Sequence, residues 1–136
     1  LTPHEEAILR AVIDCILPAD DFPGAWEAGA REYLERQLEG PLLGMREVVR
    51  SGLMSLDTEA VARFGSAFAA LPTGAQDALL REIQKSAVRT EWSVAPERFF
   101  GLLKCTTAEG FYADPAQGGN RDRVSWVMTG FERDKA

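Results

Sequence analysis

Leu1-Thr2-Pro3-His4-Glu5-Glu6-Ala7-Ile8-Leu9-Arg10-Ala11-Val12-Ile13-Asp14-Cys15-Ile16-Leu17-Pro18 opens the chain and sets its secondary-structure class. Apolar side chains recur at Ile8, Val12, Cys15 and Ile16, and Leu9, Ile13 and Leu17 widen the stripe. That three-and-four spacing is the mark of an amphipathic helix. Its start carries three signals: Thr2 can cap, Pro3 suits the first turn, and Glu5 completes a capping box. Pro18 ends it, and residues 19–24 read as a loop.

The same pattern repeats outward. A second helix is predicted from about Ala25 to Glu39, with Trp26, Ala30, Tyr33, Leu34 and Leu38 on one face and Gly40-Pro41 as a stop. A third carries Leu42, Met45, Val49, Leu53 and Leu56, and Asp57 is expected to cap a short continuation through Val61 and Phe64. An apolar run from Phe64 to Leu71 closes at Pro72. Thr73 and Gln76 read as a second capping box, opening a helix with Leu79, Leu80, Ile83 and Ala87. Pro96 suits the first turn of a last helix bearing Phe99, Phe100, Leu102, Leu103 and Thr106. No segment alternates with period two between turns, and there is no repeat, low-complexity tract or linker. The expectation is all-α: one domain over residues 1–136, a compact bundle of about five to six helices followed by an ordered glycine- and aromatic-rich C-terminal loop.

Length and charge narrow the function classes. A chain of 136 residues suits one domain, and a globule of this size buries roughly two-thirds of the surface of its unfolded chain. The net charge of −6 repels phosphate backbones and anionic lipid, so nucleic-acid binding is disfavoured. No apolar run approaches the roughly 18 residues of a membrane helix. The chain as given begins at Leu1, so no leader can be read from it. Cys15 and Cys105 are far apart and form no metal-type or redox-type pair. They read either as buried free thiols or as a disulfide joining the first helix to a late one, which would imply an oxidising compartment.

Reactive groups are sparse. The one histidine, His4, sits at a helix end, without a nucleophile beside it in sequence. There is no His/Cys cluster for zinc, no spaced carboxylate ladder for calcium and no phosphate loop. Gly118-Gly119-Asn120 follows no strand, so it is not a dinucleotide fingerprint. Catalytic, cofactor-binding and metal sites are therefore all expected to be absent from this chain.

The segment from Glu109 to Phe131 differs from the rest. It mixes Phe111, Tyr112, Trp126 and Phe131 with glycines and charges, and Pro115 with Gly118-Gly119 argues against a helix through it. Asp114-Pro115 favours a turn. Gly118 and Gly119 take positive φ at little steric cost, and Asn120 tolerates it. Arg121 offers a planar fork to carboxylates or phosphates. Trp126 is the kind of anchor that dominates interfaces. The partner-binding residues are predicted to be Phe111, Tyr112, Asp114, Pro115, Gly118, Gly119, Asn120, Arg121 and Trp126. The same residues can instead plug the end of the bundle.

Here the sequence resembles the gluconate 2-dehydrogenase subunit 3 family. The likeness runs through Leu1-Thr2-Pro3, Leu17-Pro18-Ala19-Asp20-Asp21, Pro23-Gly24-Ala25, Ala28-Gly29, Gly52-Leu53, Leu56-Asp57, Arg63-Phe64-Gly65 and Gln76 to Leu80. It is most specific from Phe99-Phe100 to Thr107, in Glu109-Gly110-Phe111-Tyr112, Asp114-Pro115 and Gly118-Gly119-Asn120, and at Trp126. The resemblance implies a non-catalytic small subunit that binds, matures and escorts a large one. That partner is a flavoprotein of the glucose–methanol–choline type holding FAD, and a cytochrome c with haem accepts the electrons. It also implies a twin-arginine leader and a periplasmic location. Two other readings stay open. One is a stand-alone helical domain that binds or turns over a small molecule with Asp114, Asn120, Arg121 and Trp126. The other is a self-associating structural domain.

Overall fold

The structure, a computed structural model, describes residues 1–18 and 24–112. Among them are five α-helices and no strand: α1 (Pro3–Ile16), α2 (Ala30–Glu39), α3 (Arg46–Phe64), α4 (Thr73–Gln84) and α5 (Pro96–Tyr112). Short 3-10 turns at Leu43–Met45 and Phe68–Ala70 precede α3 and α4.

α1 starts as its sequence demands. The Thr2 hydroxyl accepts from the Glu5 N–H at 3.1 Å, and Glu5 Oε1 accepts from the Thr2 N–H at 2.9 Å. Such a cap is worth about 1 kcal/mol. Glu5 also accepts from Arg50 Nε at 3.2 Å, so the capping carboxylate ties α1 to α3 while lying 5% exposed. The backbone bond from Thr2 holds its pKa below the ordinary carboxylate range against the opposing pull of burial, with help from Arg50.

Several boundaries depart from expectation. α3 begins at Arg46, so Leu42 and Met45, expected on that helix, precede it in a 3-10 turn and its cap. α2 begins at Ala30, not near Ala25, because Gly29 adopts φ +94°, a left-handed conformation that a continuous helix cannot contain. Residues 24–29 form a tight turn in which the Ala30 N–H reaches the Ala25 carbonyl. The helix through Leu56 does not break at Asp57. α3 runs on to Phe64 and stops at Gly65, which takes φ +75° and donates its N–H to the Val61 carbonyl. Asp57 caps the next turn instead, accepting from the Phe68 N–H at 2.9 Å. The capping box at Thr73 is absent as well. Pro72 takes the cap position, which moves Thr73 inside the helix. Gln76 turns inward and donates to the Phe68 carbonyl at 2.9 Å. Ala87 lies beyond the end of α4, after Ser86 at φ +59°.

α5 packs against the other four helices, and Phe99, Leu103 and Phe111 on it are fully or almost fully buried. Two glycines set how near its neighbours come. A Cβ at Gly52 of α3 would run into the Phe99 ring. A Cβ at Gly110 of α5 would lie 3.0 Å from Tyr33 Cβ and 3.3 Å from Ala30 Cα of α2. Ile8, Val12, Leu53, Leu56, Phe68, Leu79 and Ile83 complete one continuous core. No described helix is long and apolar enough to cross a membrane.

Candidate partner-binding site

Of the predicted partner-binding residues, the structure describes two. Asp114, Pro115, Gly118, Gly119, Asn120, Arg121 and Trp126 lie outside the described residues, as does the expected C-terminal loop from residue 113 onward. The first four residues of the segment read as a loop, Glu109 to Tyr112, form the last turn of α5. Pro115, Gly118 and Gly119 lie farther along the sequence. Phe111 and Tyr112 stand edge to face with ring centroids 5.0 Å apart, yet they face opposite environments. Phe111 is 2% exposed and belongs to the core, whereas Tyr112 is 50% exposed.

The seat of this turn is well defined. Gly110 lets α2 approach, and Tyr33 on α2 donates its hydroxyl to Glu109 Oε2 at 3.1 Å. Burial, then the Glu109 carboxylate, pushes the Tyr33 phenol above its ordinary pKa. The base of the predicted docking segment is thus held by packing and by one hydrogen bond.

The cysteines do not pair. Both are free thiols, so the disulfide considered between Cys15 and Cys105 is not formed, and Cys105 is exposed rather than buried. Cys15 on α1 turns toward α4 and donates to Gln76 Oε1 at 3.7 Å. It borders a hollow of about 530 Å³ whose lining includes Arg10, Asp14, Glu27, Leu71 and Gln76. Burial, aided by Asp77 and Asp14, pushes the Cys15 thiol up to about 12. It stays protonated at neutral pH and is a poor nucleophile. Burial beside Glu27 also raises the Asp14 carboxyl. Two guanidinium groups lie over the Trp26 ring, Arg10 at 5.4 Å and Arg31 at 5.8 Å from its centre.

His4 is placed rather than free. Its Nε2 lies 3.0 Å from Asp57 Oδ2, and the ring is mostly exposed. With Asp57 also holding the Phe68 N–H, the pair joins α1, α3 and the turn before α4. Among the described residues no group of three or more His, Cys, Asp or Glu could hold a metal ion.

The residue that sequence reasoning missed is Glu59. It is fully buried and accepts from Arg63 Nε at 2.7 Å, the Arg89 N–H at 2.8 Å, the Thr90 N–H at 3.0 Å and Trp92 Nε1 at 3.3 Å. The Thr90 hydroxyl donates as well. Burial alone would raise its pKa, but the bonds from Thr90, Arg63 and the Arg89 backbone outweigh it and hold it down to about 2. Arg63 in turn donates to the Ala87 carbonyl. Glu59 therefore pins the segment between α4 and α5. A signal existed: Glu59 stands three residues after Leu56 and seven after Gly52, on the apolar face of α3.

A family model described as gluconate 2-dehydrogenase subunit 3 matches residues 3–132. No curated protein and no solved structure matches the chain.

Proposed function

The chain belongs to the gluconate 2-dehydrogenase subunit 3 family, and from that premise we propose that it is a non-catalytic small subunit that binds, matures and escorts the large subunit of a sugar or sugar-acid dehydrogenase. The observation that carries this reading is the family match, which runs along nearly the whole chain and names a subunit of a dehydrogenase. The chemistry of the described residues supports it. Glu59 and Glu5 are committed to the fold, and the Cys15 thiol is protonated at neutral pH. The large subunit in this proposal is a flavoprotein of the glucose–methanol–choline type, which holds FAD and does the redox chemistry. A cytochrome c subunit takes the electrons through haem, and the assembly works in the periplasm after export under a twin-arginine leader.

A subunit that binds only the folded form of its partner stabilises that form by mass action, without chemistry of its own. We assign the docking contacts to the predicted residues from Tyr112 to Trp126, with Phe111 anchoring their base from inside the core. The exposed ring of Tyr112, on a turn fixed by Tyr33 and Glu109, supports that assignment. The test is co-expression of the neighbouring flavoprotein with and without this chain. The expected outcome is a soluble, FAD-loaded complex with it and loss of soluble active flavoprotein without it. A large subunit equally soluble and active alone defeats the reading.

A further inference from the structure

α3 carries a second surface that the other described residues leave uncovered. Between residues 51 and 66 there are three charged residues, and none of them is exposed. The side chains of Asp57 and Arg63 are 15% and 12% accessible and that of Glu59 is 0%, and each has a partner inside the molecule. The side chains that do face outward are apolar or small. Met54 is 45%, Val61 52% and Phe64 47% exposed, and Thr58, Ala62, Gly65 and Ser66 are exposed beside them. Met54, Thr58, Val61 and Ala62 follow the i, i+4, i+7, i+8 spacing of one helix face. A shallow hollow of about 350 Å³ opens there, bordered by Asp57, Thr58, Val61 and Ala62. In a chain that is 26% charged, a strip this long without an exposed ion is the pattern of a covered surface.

We propose that this strip is a docking face for another subunit of the dehydrogenase complex, which lays an uncharged apolar helix along α3 and seats one aliphatic or aromatic side chain in the hollow beside Val61. The proposal rests on the reading of the chain as a complex subunit. Area decides between this occupant and a second copy of the chain. The helical part of the strip, residues 51–64 of α3, is ~21 Å long and ~10 Å wide. That is a few hundred Å², well short of the ~800 Å² per partner that holds a stable pair together. Two copies joined here alone would fall apart, whereas a larger subunit that also touches the chain elsewhere can use the strip as one part of its interface. Charge agrees, since pairing two copies also brings two net charges of −6 together. The absence of exposed ions on the strip fits an apolar ridge better than a basic patch.

The test uses the complex with the neighbouring dehydrogenase subunit. Val61→Lys and Met54→Glu place a charge on the strip, Val61→Leu preserves its chemistry, and Gln84→Lys adds the same charge on α4. The expected result is that Val61→Lys and Met54→Glu weaken the complex by at least about tenfold while keeping the thermal melt of the isolated chain. Val61→Leu and Gln84→Lys should bind like the wild type. Unchanged binding by Val61→Lys and Met54→Glu overturns the placement and leaves the subunit reading intact. So does a wild-type chain that self-associates in a way Val61→Lys abolishes while the heteromeric complex persists. A wild-type chain that recovers no dehydrogenase subunit overturns both.

Discussion

The two sides of α3 show opposite arrangements. On the inner side the Glu59 carboxylate is wholly buried and takes donors from Arg63, Arg89, Thr90 and Trp92. On the outer side Met54, Val61 and Phe64 are about half exposed, with no exposed charge among them. A monomer's surface helix normally does the reverse. The inner side shows that a buried charge is tolerable when every oxygen is satisfied. The outer side shows a surface whose apolar groups the other described residues do not cover. The comparison predicts that substitutions on the inner side act on folding and those on the outer side act on assembly.

The largest effect belongs to Glu59. Glu59→Ala leaves the Arg63 guanidinium, 12% exposed, and the donors of Thr90 and Trp92 without their acceptor. A loss of about 3 kcal/mol or more in unfolding free energy is expected, because breaking one side of a buried pair strands the other. The carboxyl also sets an acid limit. Its pKa falls from 4.5 to about 2 on folding, so its contribution is complete above 4.5 and is lost as the pH drops toward 2. Glu5, shifted the same way, adds to that slope. Denaturation followed from about pH 6 to about pH 3 should show stability falling with acid in the wild type, with a shallower fall in Glu59→Gln. Identical slopes would remove Glu59 from this role.

Gly52 comes next, on the same inner face. In an exposed helix, Gly→Ala raises stability by up to about 1 kcal/mol. Here the added methyl meets the Phe99 ring, and overpacking of that kind costs about 1–3 kcal/mol. Gly52→Ala should therefore lower the melting temperature, and a rise would mean that Phe99 can move aside. Gly110→Ala makes the same test where α5 meets α2. Its contacts at 3.0 and 3.3 Å are tight rather than overlapping, so a smaller loss of about 1 kcal/mol is expected.

How much of this could be read beforehand follows from which interactions are local. The α1 capping box involves residues three apart, and it was legible in Thr2 and Glu5. The apolar stripes of α1 and α5 were legible for the same reason, since each repeats within one helix. Asp57 and Gln76 also looked like local caps. Both were recruited by the Phe68 turn, 11 and 8 residues away, and a pattern matched over four residues cannot register that. Gly29 could equally have continued the helix, and its positive φ is fixed by the turn around Trp26. Glu59 was hidden twice over. Paired with Arg63 four residues on, it resembles an ordinary surface ion pair, and its other donors sit 30 to 33 residues away. Of the predicted docking residues, Phe111 and Tyr112 separate into a buried and an exposed ring. The alternation of a helix end explains the split, and the aromatic count could not have revealed it.

The smallest expected effect on folding is on the outer side, and it is the one that bears most on the contrast. Val61 is 52% exposed, so replacing it removes little buried area, and lysine is a good helix former. Val61→Lys should change the unfolding free energy of the isolated chain by no more than about 0.5 kcal/mol. A much larger loss would mean that Val61 is covered by the chain itself, and the two faces of α3 would then be alike. A near-zero change, set beside the large one at Glu59, would leave folding and assembly as separate properties of one helix. In that case Val61 is kept apolar for something outside this chain, because a solvated helix position with no partner gains nothing from valine over lysine.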